Sequence, residues 1–179
     1  MKSYISYGLV LFLVVGISCG ILAYVNTITR PMIEENLRLE EENARKAVFP
    51  QAVRFEKAEA KNDYFEAYDE HDELLGYTFI AAGNGYSGTI QTMVGLNKDM
   101  TINRITILAQ TETPGLGTNC TKPNFLAQYN NLSKNDLRVD KDGGNIASIT
   151  GSTITTRTIT NSIKNYIEKL KSEIERGGL

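Results

Sequence analysis

Gly88-Thr89-Ile90-Gln91-Thr92-Met93-Val94-Gly95-Leu96, the break Asn97-Lys98-Asp99-Met100, and Ile102-Asn103-Arg104-Ile105-Thr106-Ile107-Leu108 together decide the fold class. β-Branched residues crowd both runs, and they keep their rotamers on a pleated, half-buried surface. The polar break is short enough to reverse the chain and pair the two runs antiparallel. Upstream, Tyr64 to Tyr68 and Leu75 to Ala82 have the same character and are again divided by turn clusters. Consecutive short strands joined by short turns predict an antiparallel sheet. The bend Gly83-Asn84-Gly85-Tyr86-Ser87-Gly88 lacks the GxGxxG spacing and the strand-to-helix context of a dinucleotide site. Tyr86 is expected to pack over the bare glycine backbone beside it.

Downstream, Pro123 to Tyr129 reads as a short helix and Asn130 to Gly144 as a polar excursion. Ile159, Ile163, Tyr166, Ile167, Leu170 and Ile174 then recur at three- and four-residue steps, the spacing of an amphipathic helix that packs one face on the sheet. Lys169, Lys171 and Arg176 suit its C-terminal end. Sheet and packed helix make the fold class α+β.

The N-terminus is of a different kind. No charge occurs from Ser3 to Thr29, and Ile5 to Val25 is almost wholly apolar. That length suffices for one helical crossing of a hydrocarbon core about 30 Å thick. The apolar run is too long for a cleaved signal, and Gly16 is a poor residue three places before a lipidated Cys19, so a retained anchor over residues 1–30 is expected. Pro31 suits the first turn of a following juxtamembrane helix over 31–50, with Thr27 or Thr29 as its cap. Ile33, Leu37, Ala44 and Val48 give that helix a narrow apolar stripe, and its glutamates read as a solvated face. Flanking charge is thin, with Lys2 before the segment and Arg30 and Arg38 after it among five glutamates, so the positive-inside rule does not place the N-terminus in the cytoplasm.

Residues 51–179 remain as one domain with its own core. The formal charge of −2 and the absence of lysine–arginine clusters leave no footprint for nucleic acid. The lone His71 sits in a polar turn without partner cysteines or histidines and reads as solvated. Cys19 lies in the anchor and Cys120 in the domain, so they cannot pair without breaching the bilayer.

Two further stretches carry chemistry. Thr150-Gly151-Ser152-Thr153 precedes the closing helix, where unpaired N–H groups and the helix dipole favour a phosphate. Gly151 lets the backbone approach a bulky group; taken alone, the tetrapeptide also reads as a plain cap and turn. Glu112-Thr113-Pro114-Gly115-Leu116-Gly117 follows the last strand, with Pro114-Gly115 presetting a tight turn and Gly117 a second permissive point. Alone, it reads as a connector.

Together, in this order, they resemble the flavin-binding domain shared by the G subunit of the Rnf ion-translocating oxidoreductase and the C subunit of the sodium-pumping NADH:quinone reductase. The resemblance extends over the anchor, the Glu-rich helix ending in Val48-Phe49-Pro50 and the strands around Gly83 to Gly95. It implies covalent FMN esterified through its phosphate to Thr153, with Thr150, Gly151, Ser152, Glu112, Thr113, Gly115 and Leu116 around the flavin, and for the Gly83–Gly88 bend a place near the flavin as the alternative to a purely structural bend. It further implies other membrane subunits of an Rnf-type complex as partners, a flavin transferase for maturation, and a soluble domain outside the cytoplasm. Departures are Ser152 where the family usually has alanine, Ala147 where an acidic residue is often found, and Gln110 at a position commonly histidine. No nicotinamide motif, cysteine set for an iron–sulfur cluster or acid–base pair is recognisable, so the chain reads as an electron carrier whose chemistry resides in its cofactor. The C subunit of the quinone reductase, a stand-alone FMN-binding envelope protein, and an anchored interaction domain that has lost its flavin are the alternatives.

Overall fold

The structure, a computed structural model, describes residues 2–58 and 63–177, with side chains described in these ranges except at 2, 3, 176 and 177. Arg176, expected at the basic end of the last helix, therefore falls outside the described side chains. The chain divides into two units, the first ending at Glu40 and the second beginning at Glu41. Helix α1, Lys2–Val48, contributes to both.

In the first unit α1 is, among the described residues, the one helix long and apolar enough to cross a membrane. Leu9, Phe12, Leu22 and Val25 stand exposed along it, as side chains meant for lipid would. The sequence placed Pro31 at the start of a second helix; instead the helix runs through it. The hydroxyls of Thr27 and Thr29, expected as caps, donate to the carbonyls of Ala23 at 2.9 Å and Val25 at 3.0 Å one turn back. That is the habit of interior threonines. Proline removes a single N–H from the ladder, and the flanking helix tolerates the loss. Ile33 and Leu37 are exposed, so the apolar stripe expected here is buried only at Ala44 and Val48.

In the second unit Ala44 and Val48 pack with Phe49, Ala67 and Met93. Gly95 makes room for them, since a Cβ there would lie 3.0 Å from the Val48 carbonyl and 3.1 Å from the Phe49 ring. Asn103 Nδ2 donates to the Val48 carbonyl at 2.7 Å, satisfying an acceptor left open at the helix end. Arg45 is buried against the Phe65 ring at 3.8 Å and paired with Glu41 at 2.8 Å. Glu34, Glu35 and Glu40 are exposed, as the solvated reading has it.

The sheet is a five-stranded antiparallel meander in the order β1 (Arg54–Lys57), β2 (Tyr64–Tyr68), β3 (Leu74–Asn84), β4 (Thr89–Asn97) and β5 (Ile102–Ala109). The last four match the expected strands to within two residues at each end. β1 was not anticipated: its sequence, Arg-Phe-Glu-Lys, has no apolar alternation, and it is a largely exposed edge strand. The Asn97–Met100 break does pair β4 with β5, in register Val94 to Ile105. Helix α2, Pro123–Leu126, continues into a 3₁₀ turn over Ala127–Tyr129 where a short helix was expected.

Helix α3, Thr153–Gly177, buries Ile159, Ile163, Ile167 and Leu170 in the main core with Phe79, Val94, Leu96 and Ile102. Tyr166 stacks on Phe79 with ring centroids 4.2 Å apart. The excursion after α2 is less peripheral than its composition implies, because Leu137, Val139 and Ile146 are buried. Local side-chain bonds hold it: Ser148 donates to Asp140, and Arg157 of α3 makes a two-pronged pair with Asp142 at 2.6 and 2.9 Å.

Candidate functional site

The start of α3 is built by a turn. Gly151 takes φ +76°, and the Ser152 amide donates to the Ile149 carbonyl at 2.8 Å. A side chain at 151 would be strained in that conformation and would also come within 3.1 Å of Leu116 Cδ2. The turn is stitched to the helix by Thr156, whose hydroxyl accepts from the Ile149 amide at 3.1 Å. The first helical hydrogen bond runs from the Thr156 amide to the Ser152 carbonyl. The amides of Thr153, Ile154 and Thr155 thus precede the helical ladder and have no carbonyl one turn back within it.

Facing this helix start is the loop after β5. Glu112 is buried, and both of its carboxylate oxygens act as acceptors. Oε1 receives the Ser87 amide at 2.8 Å, and Oε2 receives the Thr155 hydroxyl in a short contact. One side chain therefore ties the β3–β4 bend to the first turn of α3. The Glu112 amide in turn donates to Gln110 Oε1 at 2.7 Å, so Gln110 shapes the loop. Gly115 has the expected positive φ, +76°, with open space about it. Gly117 differs from expectation. Its φ is ordinary, and its need is for space: a Cβ would sit 2.6 Å from Glu112 Cβ. Cys120 lies buried behind the loop, and burial, with the Glu112 charge second, pushes its thiol pKa up to about 11.

Loop, bend and helix start enclose a cavity of about 490 Å³. Glu112, Thr113, Leu116, Gly151, Ser152 and Thr153 all line it. Of the remaining expected site residues, Thr150 borders a separate groove with Asn119 and Gln128, and Gly115 does not reach the cavity wall. The Ala147 amide donates to Gln128 Oε1 at 2.8 Å. Two lining residues were missed, Ile154 and Thr155, and Tyr86 belongs to the bend that the resemblance puts near the flavin. Thr155 could have been suspected from its place two residues after Thr153, but its partner is 43 positions away. The expected packing of Tyr86 over the glycines is not what the structure has. Tyr86 is 75% exposed on the cavity wall, because its neighbours hold the bend without it.

The volume falls within the range typical of small-molecule sites, about 300–1,000 Å³. The start of α3 offers hydroxyls and amides suited to phosphate, and Tyr86, Leu116 and Ile154 add exposed apolar surface to the same lining. A ligand with an anionic end and a flat apolar end fits this lining. His71 is exposed in its turn, 4.0 Å from Asp69, and no cluster of potential metal ligands occurs among the described residues.

Comparison with known proteins agrees with this chemistry. The FMN-binding domain family matches residues 85–168, a range that holds every residue lining the cavity. The chain is 33% identical to the G subunit of the Na(+)-translocating ferredoxin:NAD(+) oxidoreductase complex of Acetobacterium woodii, covering 90% of this chain and 88% of the relative. It is 30% identical to the G subunit of the proton-translocating ferredoxin:NAD(+) oxidoreductase complex of Clostridium ljungdahlii, over 86% and 84%. Among solved structures, Shewanella oneidensis NqrC shares the fold, with a TM-score of 0.50 at 18% identity over 67% of each chain.

Proposed function

The chain belongs to the family of G subunits of ion-translocating oxidoreductase complexes, and from that premise we propose that it relays electrons through FMN carried as a phosphoester on Thr153. It is a single-pass membrane protein of a multi-subunit complex that couples electron transfer to ion translocation. FMN, when bound, supplies the capacity to take up and pass on electrons. The protein's part is to hold and orient it.

The observation that carries the attachment reading is the position of Thr153 at the first residue of α3, half-buried, on the wall of a cavity of flavin size. Its hydroxyl adjoins amides that the helical ladder leaves unpaired, and these favour the phosphate by hydrogen bond and dipole. Thr155, the other cavity-lining threonine of this turn, is buried and already donates to Glu112, which leaves it unsuited as an acceptor. Ester formation needs an activated donor. A flavin dinucleotide serves: the new bond joins Thr153 Oγ1 to the flavin-side phosphorus, the phosphoanhydride breaks, the nucleoside monophosphate leaves and the hydroxyl proton passes to a base of a separate flavin transferase. Gly151 gives the transferase a turn free of Cβ to approach.

The domain lies outside the cytoplasm in this proposal. A covalent tether is of most use there, since released FMN would be lost to the surroundings. A reporter active only in the cytoplasm, fused after Leu179, should then be silent, and strong activity would reverse the orientation. The function itself is tested by the visible absorbance of the full chain co-produced with a flavin transferase. A flavin spectrum that survives denaturation and gel filtration is expected; a colourless protein would favour an interaction domain that has lost its flavin.

A further inference from the structure

We propose that Tyr86 is the stacking partner of the flavin ring, an inference that rests on the FMN reading above. Exposed large hydrophobic side chains of the second unit, among the described residues, are Val53, Tyr86, Leu116 and Ile154. All but Val53 line the same cavity. Singly exposed apolar residues are commonplace, but their convergence on one concave site marks a ligand surface.

Tyr86 is the one aromatic of the three, and its backbone is held with unusual care. The Gly85 amide donates to the Gly88 carbonyl at 2.8 Å, and the Ser87 amide donates to buried Glu112 at 2.8 Å. A Cβ at 85 would lie 2.6 Å from Glu112 Oε1, and one at 88 would lie 2.1 Å from Thr111 Oγ1. The bend can press this closely on the β5 loop only because both flanking residues are glycines. Yet the ring so positioned has no aromatic, cationic or hydrogen-bonding partner among the described residues, and three-quarters of its surface is open. A fixed backbone that presents an uncovered ring to a cavity is pre-organised for a flat partner. Tyrosine serves this well because its ring loses little freedom on ordering and prefers offset stacking.

The polarity of the cavity supplies the orientation. Phosphate is favoured at the start of α3, beside which Leu116 and Ile154 lie, so the isoalloxazine extends from there toward Tyr86 on the β3–β4 bend. A phenol stacked there adds electron density against the ring and can donate an electron to the photoexcited flavin. That electron returns by recombination, so nothing is consumed and the effect is seen as quenched emission. Phenylalanine keeps the stacking surface and cannot donate; leucine removes both.

The test uses the full chain co-produced with a flavin transferase, as wild type, Tyr86→Phe and Tyr86→Leu. Intact mass gives flavin loading, and emission per bound flavin is compared in the folded protein and in denaturant. Wild type should be loaded and dim when folded, brightening several-fold on denaturation. Tyr86→Phe should load normally and be several-fold brighter than wild type when folded, with an unchanged visible band. Tyr86→Leu should be equally bright, with its visible band moved toward that of free FMN. Loaded variants as dim as wild type would overturn the stacking role while leaving the flavin function standing, as would a Tyr86→Phe protein that takes up no flavin. An unloaded wild type would overturn both, and the mass reading alone tells the two failures apart.

Discussion

Glu112 joins three chain segments through one buried carboxylate, so replacing it has a cost that can be worked out. Each of its two accepted bonds, from the Ser87 amide and the Thr155 hydroxyl, joins a charged acceptor to a neutral donor, and such bonds are each worth about 1.5–3 kcal/mol. Glu112→Gln keeps the shape; its amide oxygen accepts from the Ser87 amide and its amide nitrogen donates to a Thr155 hydroxyl turned to accept, so both contacts fall to neutral strength, about 1 kcal/mol each. The expected loss is about 1–4 kcal/mol, or a fall in Tm of about 3–13 °C for a domain of this size. Glu112→Ala leaves a buried amide and a buried hydroxyl unpaired and opens a void, for about 3–5 kcal/mol. Thermal unfolding of the detergent-solubilised full chain, followed by near-ultraviolet circular dichroism, reports chiefly on the packed aromatics of the second unit, since Tyr4, Tyr7, Phe12 and Tyr24 of the membrane helix are exposed. The reasoning fails if Glu112→Gln melts within about 1 °C of wild type, or if Gln and Ala cost the same.

The two glycines of the loop should separate strain from crowding. Gly115→Ala should cost about 1 kcal/mol through its positive φ alone, because nothing lies near its Cβ, and Gly117→Ala about 1–3 kcal/mol through contact with Glu112; urea titration measures both, and a harmless Gly117→Ala would contradict the packing. Hydrogen bonds from Ser148 hold Asp140, and the Arg157 guanidinium holds Asp142, below the usual carboxylate range. Their folded values are depressed, so their contribution is complete above the unfolded value of about 3.9 and is lost as pH falls through the lower folded values. Hydrogen-exchange protection factors at Asp140 to Ser152, which allow for the slower intrinsic exchange in acid, should accordingly fall below about pH 4, and Asp142→Asn should remove part of that pH dependence. Cys120, buried and with its thiol pKa raised to about 11, should resist iodoacetamide at pH 8 in the folded protein and react once urea unfolds it.

The strands from Tyr64 onward are legible in the sequence because branched and aromatic residues fill them and polar turns separate them, and α3 is legible because its isoleucines keep helical spacing. The pairing of Glu112 with Thr155 is not, since local pattern says nothing of a contact between residues so far apart in the chain. Edge strand β1 escapes notice because two of its four residues are basic and one acidic, and a partner strand is what extends it. Leu137, Val139 and Ile146 sit in no regular element, so periodicity does not mark them as core; aspartate side chains bonded to nearby backbone and hydroxyl groups hold that segment in place. Tyr86 departs from expectation because a tyrosine among glycines ordinarily covers bare backbone, whereas here the Glu112 carboxylate holds the bend and leaves the ring free. Pro31 reads as a start signal, yet a long helix with a single missing N–H absorbs it.

The central claim is that Thr153 carries the flavin, and the intact mass of the full chain co-produced with a flavin transferase tests it most directly. Wild type and Ser152→Ala should show the FMN phosphoryl increment, with flavin fluorescence retained in a denaturing gel. Thr153→Val keeps β-branching and lacks the hydroxyl that an ester requires, so it should show neither while melting close to wild type. Persistence of the increment in Thr153→Val, with Ser152 the next acceptor to examine, would contradict the account.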